Sequence, residues 1–129
     1  MMRTQQVPRA EWEQFFDAFT RRHEGWLATV RVVDRRLGAQ VEARDLPLEG
    51  IVPGRKKGAS LSILLGKRPD ANVEHAVERP EQVWVELTDR GVEAALEIVG
   101  ADGRRTILEF RTAVPAEELD GLVREPAVD

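Results

Sequence analysis

The spacing of apolar residues changes once, near Gly25, and that change constrains the fold more than any other feature of the chain. Before it, Trp12, Phe15, Phe16 and Phe19 recur at helical spacing, which puts four aromatic rings on one face. Pro8 suits a first helical turn, where its missing N–H is not needed. Arg21, Arg22 and His23 suit a last turn, where cations complement the helix dipole, and Gly25 supplies a stop. The spacing predicts a helix from about Pro8 to His23. After Gly25 the period falls to two, the signature of strands with one wet face.

Seven strands follow from that alternation. The first runs from Trp26 to Val33, and the second from Ala39 to Arg44. A third has Leu61, Ile63 and Leu65 inward, and a short fourth carries Val73, His75 and Val77. The fifth has Val83, Val85 and Leu87 inward, with Trp84 and Glu86 facing away. Ala94, Leu96 and Ile98 make a sixth, despite some helix propensity, and Thr106, Leu108 and Phe110 a seventh. Turns are expected at Asp34 to Gly38, Pro53 to Gly58, Gly66 to Ala71 and Asp102-Gly103. The stretch Leu46 to Ile51 is apolar but interrupted by Pro47, and reads as an edge or a crossing loop.

The expected fold is therefore mainly β (α+β). An N-terminal amphipathic helix packs on six or seven antiparallel strands, arranged as a small barrel or a rolled sheet. A chain of 129 residues accommodates one such domain, taken as residues 1–114, with 115–129 a short C-terminal helix or frayed tail.

Composition narrows the function mainly by exclusion. Without cysteine there is no disulfide, thiolate metal site or cysteine nucleophile, and no metal or cofactor is expected. No apolar run is long enough to span a membrane, and Met1 to Gln6 lack the apolar core of a secretory signal, so a cytoplasmic location is expected. Nineteen basic residues against twenty-three acidic ones leave a net charge of −4, which disfavours an extended grip on nucleic acid. Sixteen of the basic residues are Arg, a bias that reads first as genome composition and only second as selection for bidentate contacts. Phosphate-loop, nucleophile-elbow, zinc-protease and dinucleotide-binding motifs are all missing, so no catalytic residue is assigned.

Three groups of residues remain as candidates. His23 beside Glu24 offers a base and an orienting carboxylate, although a helix-terminal cation next to a surface acid is the plainer reading. Arg44, Asp45 and Glu49 flank Pro47 and could line a polar recess, though turn chemistry also accounts for each of them. Arg55, Lys56 and Lys57 on the Pro/Gly loop, with Arg35-Arg36 and Arg104-Arg105, could form a basic rim for RNA or a phosphate ligand. Charged hairpin tips more often serve solubility, and no aromatic stacking platform accompanies them. His75 reads as a hydrogen-bonded core histidine, and Trp84 is the one aromatic without a place in the core.

With those residues in view, the chain resembles an uncharacterised bacterial family, domain of unknown function 5335. The likeness rests on Pro8-Arg9-x-Glu11-Trp12, on Arg22-His23-Glu24-Gly25-Trp26-Leu27 and above all on Gln40 to Ile51. It runs from about Val7 to Phe110 and leaves out the Arg55-Lys56-Lys57 loop. The resemblance implies a shared structural or binding role at His23 to Trp26 and Arg44 to Gly50, and brings no catalytic residue with it. The expectation is a non-enzymatic cytoplasmic binding or protein-interaction module with a protein or small-molecule partner, and a homodimer is compatible with an edge at Pro47. Weak RNA or phosphate binding through the basic loops is the alternative.

Overall fold

The computed structural model describes residues 3–54, 60–66 and 72–111. Eight strands and one helix follow in the order β1 (Arg3–Val7), a 3-10 turn (Arg9–Glu11), α1 (Trp12–His23), β2 (Leu27–Asp34), β3 (Gly38–Pro53), β4 (Ser60–Leu65), β5 (Val73–Glu78), β6 (Pro80–Leu87), β7 (Glu93–Gly100) and β8 (Arg105–Phe110). All pairings are antiparallel, and the sheet order is β1-β6-β7-β8-β2-β3-β4-β5. β1 and β5 stand at the two ends and do not pair with each other. The sheet is rolled but not closed.

Strand alternation sets which face is dry. Leu61, Ile63, Leu65, Val83, Val85, Leu87, Leu96, Ile98, Leu108 and Phe110 are all buried, as their spacing predicts. Phe16 and Phe19 enter the same core from α1, with Trp12 and Phe15 packed partly buried beside them. Phe19 is completely enclosed, and burying a ring of that size contributes ~1.5–3 kcal/mol. The Trp12 indole N–H donates to the Val7 carbonyl at 2.9 Å, which ties the start of α1 to the end of β1. Helix α1 begins four residues later than Pro8 suggests, because the 3-10 turn intervenes.

Two departures from expectation have physical causes. β1 is an additional strand: Arg3 to Gln6 are exposed and carry no apolar alternation, so only main-chain pairing with β6 defines it. The stretch around Pro47 is neither an edge nor a loop. It is the middle of the 16-residue β3, which lies between β2 and β4. Pro47 sits where β3 changes partners: it faces Leu27 of β2, and the next residue, Leu48, already faces Leu65 of β4. Its missing N–H costs nothing there, while its carbonyl accepts the Gly66 N–H at 2.8 Å.

Register shifts bend β3 on both sides of that handover. Arg44 and Asp45 together oppose the single residue Thr29, and Glu49 is an extra residue between Leu48 and Gly50. Asp45 has φ +52, a left-handed conformation, and its N–H donates to Thr29 Oγ1 at 3.1 Å. Helix α1 packs on the far half of β3. A β-carbon on Gly50 would come within 3.0 Å of Thr20 Cγ2, and Thr20 Oγ1 accepts the Ile51 N–H at 3.0 Å. The expected turns at Pro53 to Gly58 and Gly66 to Ala71 lie largely outside the described residues, and the 115–129 tail lies wholly outside them. No helix among the described residues is long and apolar enough to cross a membrane.

Candidate functional site

The bend in β3 shapes a recess on the wet face of the sheet. Because strand residues alternate, Thr29 and Arg31 of β2 project to the same side as Glu109 of β8, and Thr29 lies directly opposite Glu109. Arg31 lies opposite Ile107 on one side and Val41 of β3 on the other, so Arg31 and Glu109 are diagonal neighbours. Past the end of β8, Arg111 donates its N–H to the Leu27 carbonyl at 3.0 Å, which carries its side chain to the same rim. The bulge adds Arg44 from β3. The result is a recess of about 360 Å³ lined by Thr29, Arg31, Val41, Arg44, Glu109, Phe110 and Arg111.

Charge is unbalanced there. Three guanidiniums meet one carboxylate, a local excess of two positive charges on a chain whose net charge is −4. Arg31 Nη2 donates to Glu109 Oε1 at 2.6 Å, yet its Nε is enclosed and has no hydrogen-bond partner among the described residues. A buried N–H without an acceptor costs ~1–3 kcal/mol, so Arg31 is held beside the recess at a local cost. Among the described residues Arg44 and Arg111 form no ion pair. Thr29 accepts from Asp45 and keeps its own O–H to donate. This set of groups can hold an anion.

His23 occupies a different environment. It is 3% exposed, enclosed by Phe19, Trp26 and Phe110, with the Phe110 ring stacked 4.6 Å away. Its Nδ1–H donates to the Phe19 carbonyl at 2.8 Å, an acceptor that fixes the tautomer. The neighbouring acid is Glu93 of β7, whose Oε1 lies 3.4 Å from His23 Nε2, and not Glu24, which is exposed at the helix end. Arg22 forks Glu93 with two 2.8 Å bonds and offsets its charge. Burial therefore prevails and holds the imidazole below its ordinary value of 6.5. A neutral, walled-in ring replaces the expected helix-terminal cation.

The sequence candidates thus do not converge. Arg44 joins the recess. Asp45 is exposed on the bulge, Glu49 is half-buried at the second bulge, and His23 lies in the core. His75 is half-buried on β5, where burial pushes its pKa down and the Glu42 carboxylate pulls it up. Trp84 is half-buried on the wet face, in the row that runs through Glu97, Ile107 and Arg31 to Val41. Arg55, Lys56 and Lys57 lie outside the described residues. Two other supposed members of the basic rim are engaged: Arg104 pairs with Asp34 at 3.0 Å and Arg105 with Glu97 at 3.3 Å. Sequence reasoning missed Arg31 and Arg111, since pairing of β2 with β8 joins residues 78 positions apart.

The comparisons with known proteins bring no activity with them. A protein of Aquifex aeolicus (strain VF5), described only as an uncharacterized protein, is 30% identical over 117 residues, covering 91% of this chain and 100% of its own. No solved structure matches. A family model described as "Family of unknown function (DUF5335)" matches residues 3–120, from β1 to beyond the Arg111 rim of the recess. The chain belongs to that family.

Proposed function

We propose that this domain is a non-enzymatic binding module that works in the cytoplasm and engages one protein or small-molecule partner through an anionic group seated in the recess of Arg31, Arg44 and Arg111. The observation that carries this reading is a recess where three guanidiniums meet one carboxylate, with Arg44 and Arg111 forming no ion pair among the described residues. Guanidiniums are normally paired or solvated, and a recess that gathers three of them around one carboxylate is best matched by an anionic ligand. The absence of cysteine suits a reducing compartment. His23, the residue best suited to general base catalysis, is walled in by Phe19, Trp26 and Phe110, which favours binding over chemistry.

A thermal-shift screen with small carboxylates, sulfate and phosphates, run beside a pull-down, tests the proposal. Anions that raise the melting temperature of the wild type but not of Arg44→Gln are the expected result. A protein with no stabilising anion and no captured partner contradicts it.

A further inference from the structure

The recess specifies more than a negative charge. We propose, resting on the binding role above, that its ligand is a small phosphomonoester held as the dianion. Two excess positive charges match two negative ones, and a phosphomonoester carries −1.5 to −2 near neutral pH, with a second ionisation at about 6. The donors come from three directions: the Arg31 guanidinium and the Thr29 hydroxyl from β2, Arg44 from the β3 bulge, and Arg111 from the end of β8. A carboxylate presents two oxygens in one plane, whereas three phosphate oxygens spread over a tetrahedron accept from several sides at once.

The surroundings favour a small ligand. About 360 Å³ lies near the lower end of the usual range for small-molecule sites, ~300–1,000 Å³. Val41, an exposed apolar side chain on the recess wall, offers a surface for the carbon skeleton of the ester. A nucleic-acid backbone fits less well. Each of its phosphates carries one charge, and the cations that would extend the track, Arg104 and Arg105, are already paired with Asp34 and Glu97.

Isothermal titration of the full chain with glycerol phosphate, succinate, dimethyl phosphate and a short oligouridylate separates the possibilities. The expected order places glycerol phosphate tightest. Its affinity falls about tenfold or more in Arg44→Gln and again in Arg111→Gln, as expected for lost charge-assisted hydrogen bonds. A triple variant, Arg55→Ser with Lys56→Ser and Lys57→Ser, keeps wild-type affinity, and circular dichroism shows every variant folded. Tighter binding of succinate overturns the phosphomonoester assignment and leaves the binding role standing. Tighter binding of oligouridylate, or loss of affinity in the triple loop variant, overturns it in favour of nucleic acid or of the loop. No heat with any probe, together with a protein partner captured through Arg44, also overturns the ligand class while the binding role survives. No heat and no partner removes both.

Discussion

At the scale of single residues, the chain places two side chains where their chemistry is read by measurement. His23 is neutral because desolvation outweighs the nearby Glu93, whose charge Arg22 already offsets. The sign of its pH effect follows directly. The folded-state pKa lies below 6.5, so on acidification the unfolded chain binds the proton first, and stability present above 6.5 is lost as pH falls through the folded value. His75 is shifted the same way and adds to the slope. Chemical denaturation between neutral and mildly acidic pH is expected to show stability falling below 6.5, with a shallower slope in His23→Phe. Equal slopes would show that His23 does not titrate as described. Asp45 gives a second reading, since at φ +52 a branched side chain is strained whereas glycine is not. Asp45→Val is expected to cost ~1–2 kcal/mol and Asp45→Gly much less, in equilibrium denaturation. If the valine variant is as stable as the glycine one, the bulge is not shaped as proposed.

At the scale of elements, legibility depended on whether a side-chain period existed. The helix and the buried strands β4, β6, β7 and β8 carry strong periods, so their inward residues were identifiable one by one. β1 has none, because an edge strand exposed from Arg3 to Gln6 is defined by its backbone partner alone. The Pro47 stretch misleads for a different reason. Proline is excluded from the interior of a uniform sheet, but β3 changes partner at that residue and the missing N–H has no ladder to break. Contact between α1 and the far half of β3 depends on Gly50, where a methyl group would press on Thr20 Cγ2 at 3.0 Å. Gly50→Ala is expected to lower stability by ~1–3 kcal/mol through overpacking, and Thr20→Ser in the same chain should restore part of it. Thermal melts of the single and double variants check this; an undiminished Gly50→Ala protein would contradict the close packing.

At the scale of the whole molecule, the rolled sheet matters because it makes a site from residues that no local pattern connects. Arg44 was noticed for its odd neighbourhood, but its partners in the recess come from β2 and from beyond β8, and only the sheet order brings them together. Only Arg44 of that site was legible in the sequence, because recognising the rest requires knowing that β2 lies between β3 and β8. His23 is buried among Phe19, Trp26 and Phe110 while Arg44 and Asp45 are exposed on the β3 bulge, which is why the sequence candidates form no common concavity. The central claim is that the recess of Arg31, Arg44 and Arg111 accepts an anion. Proton–nitrogen correlation spectra, including the arginine side-chain resonances, recorded while phosphate is added, test it most directly. The account predicts that the Arg31 Nε–H signal and the backbone signals of Thr29, Arg44 and Glu109 move together and saturate. Movement confined to the Arg55 to Lys57 loop, or none at all, would contradict it.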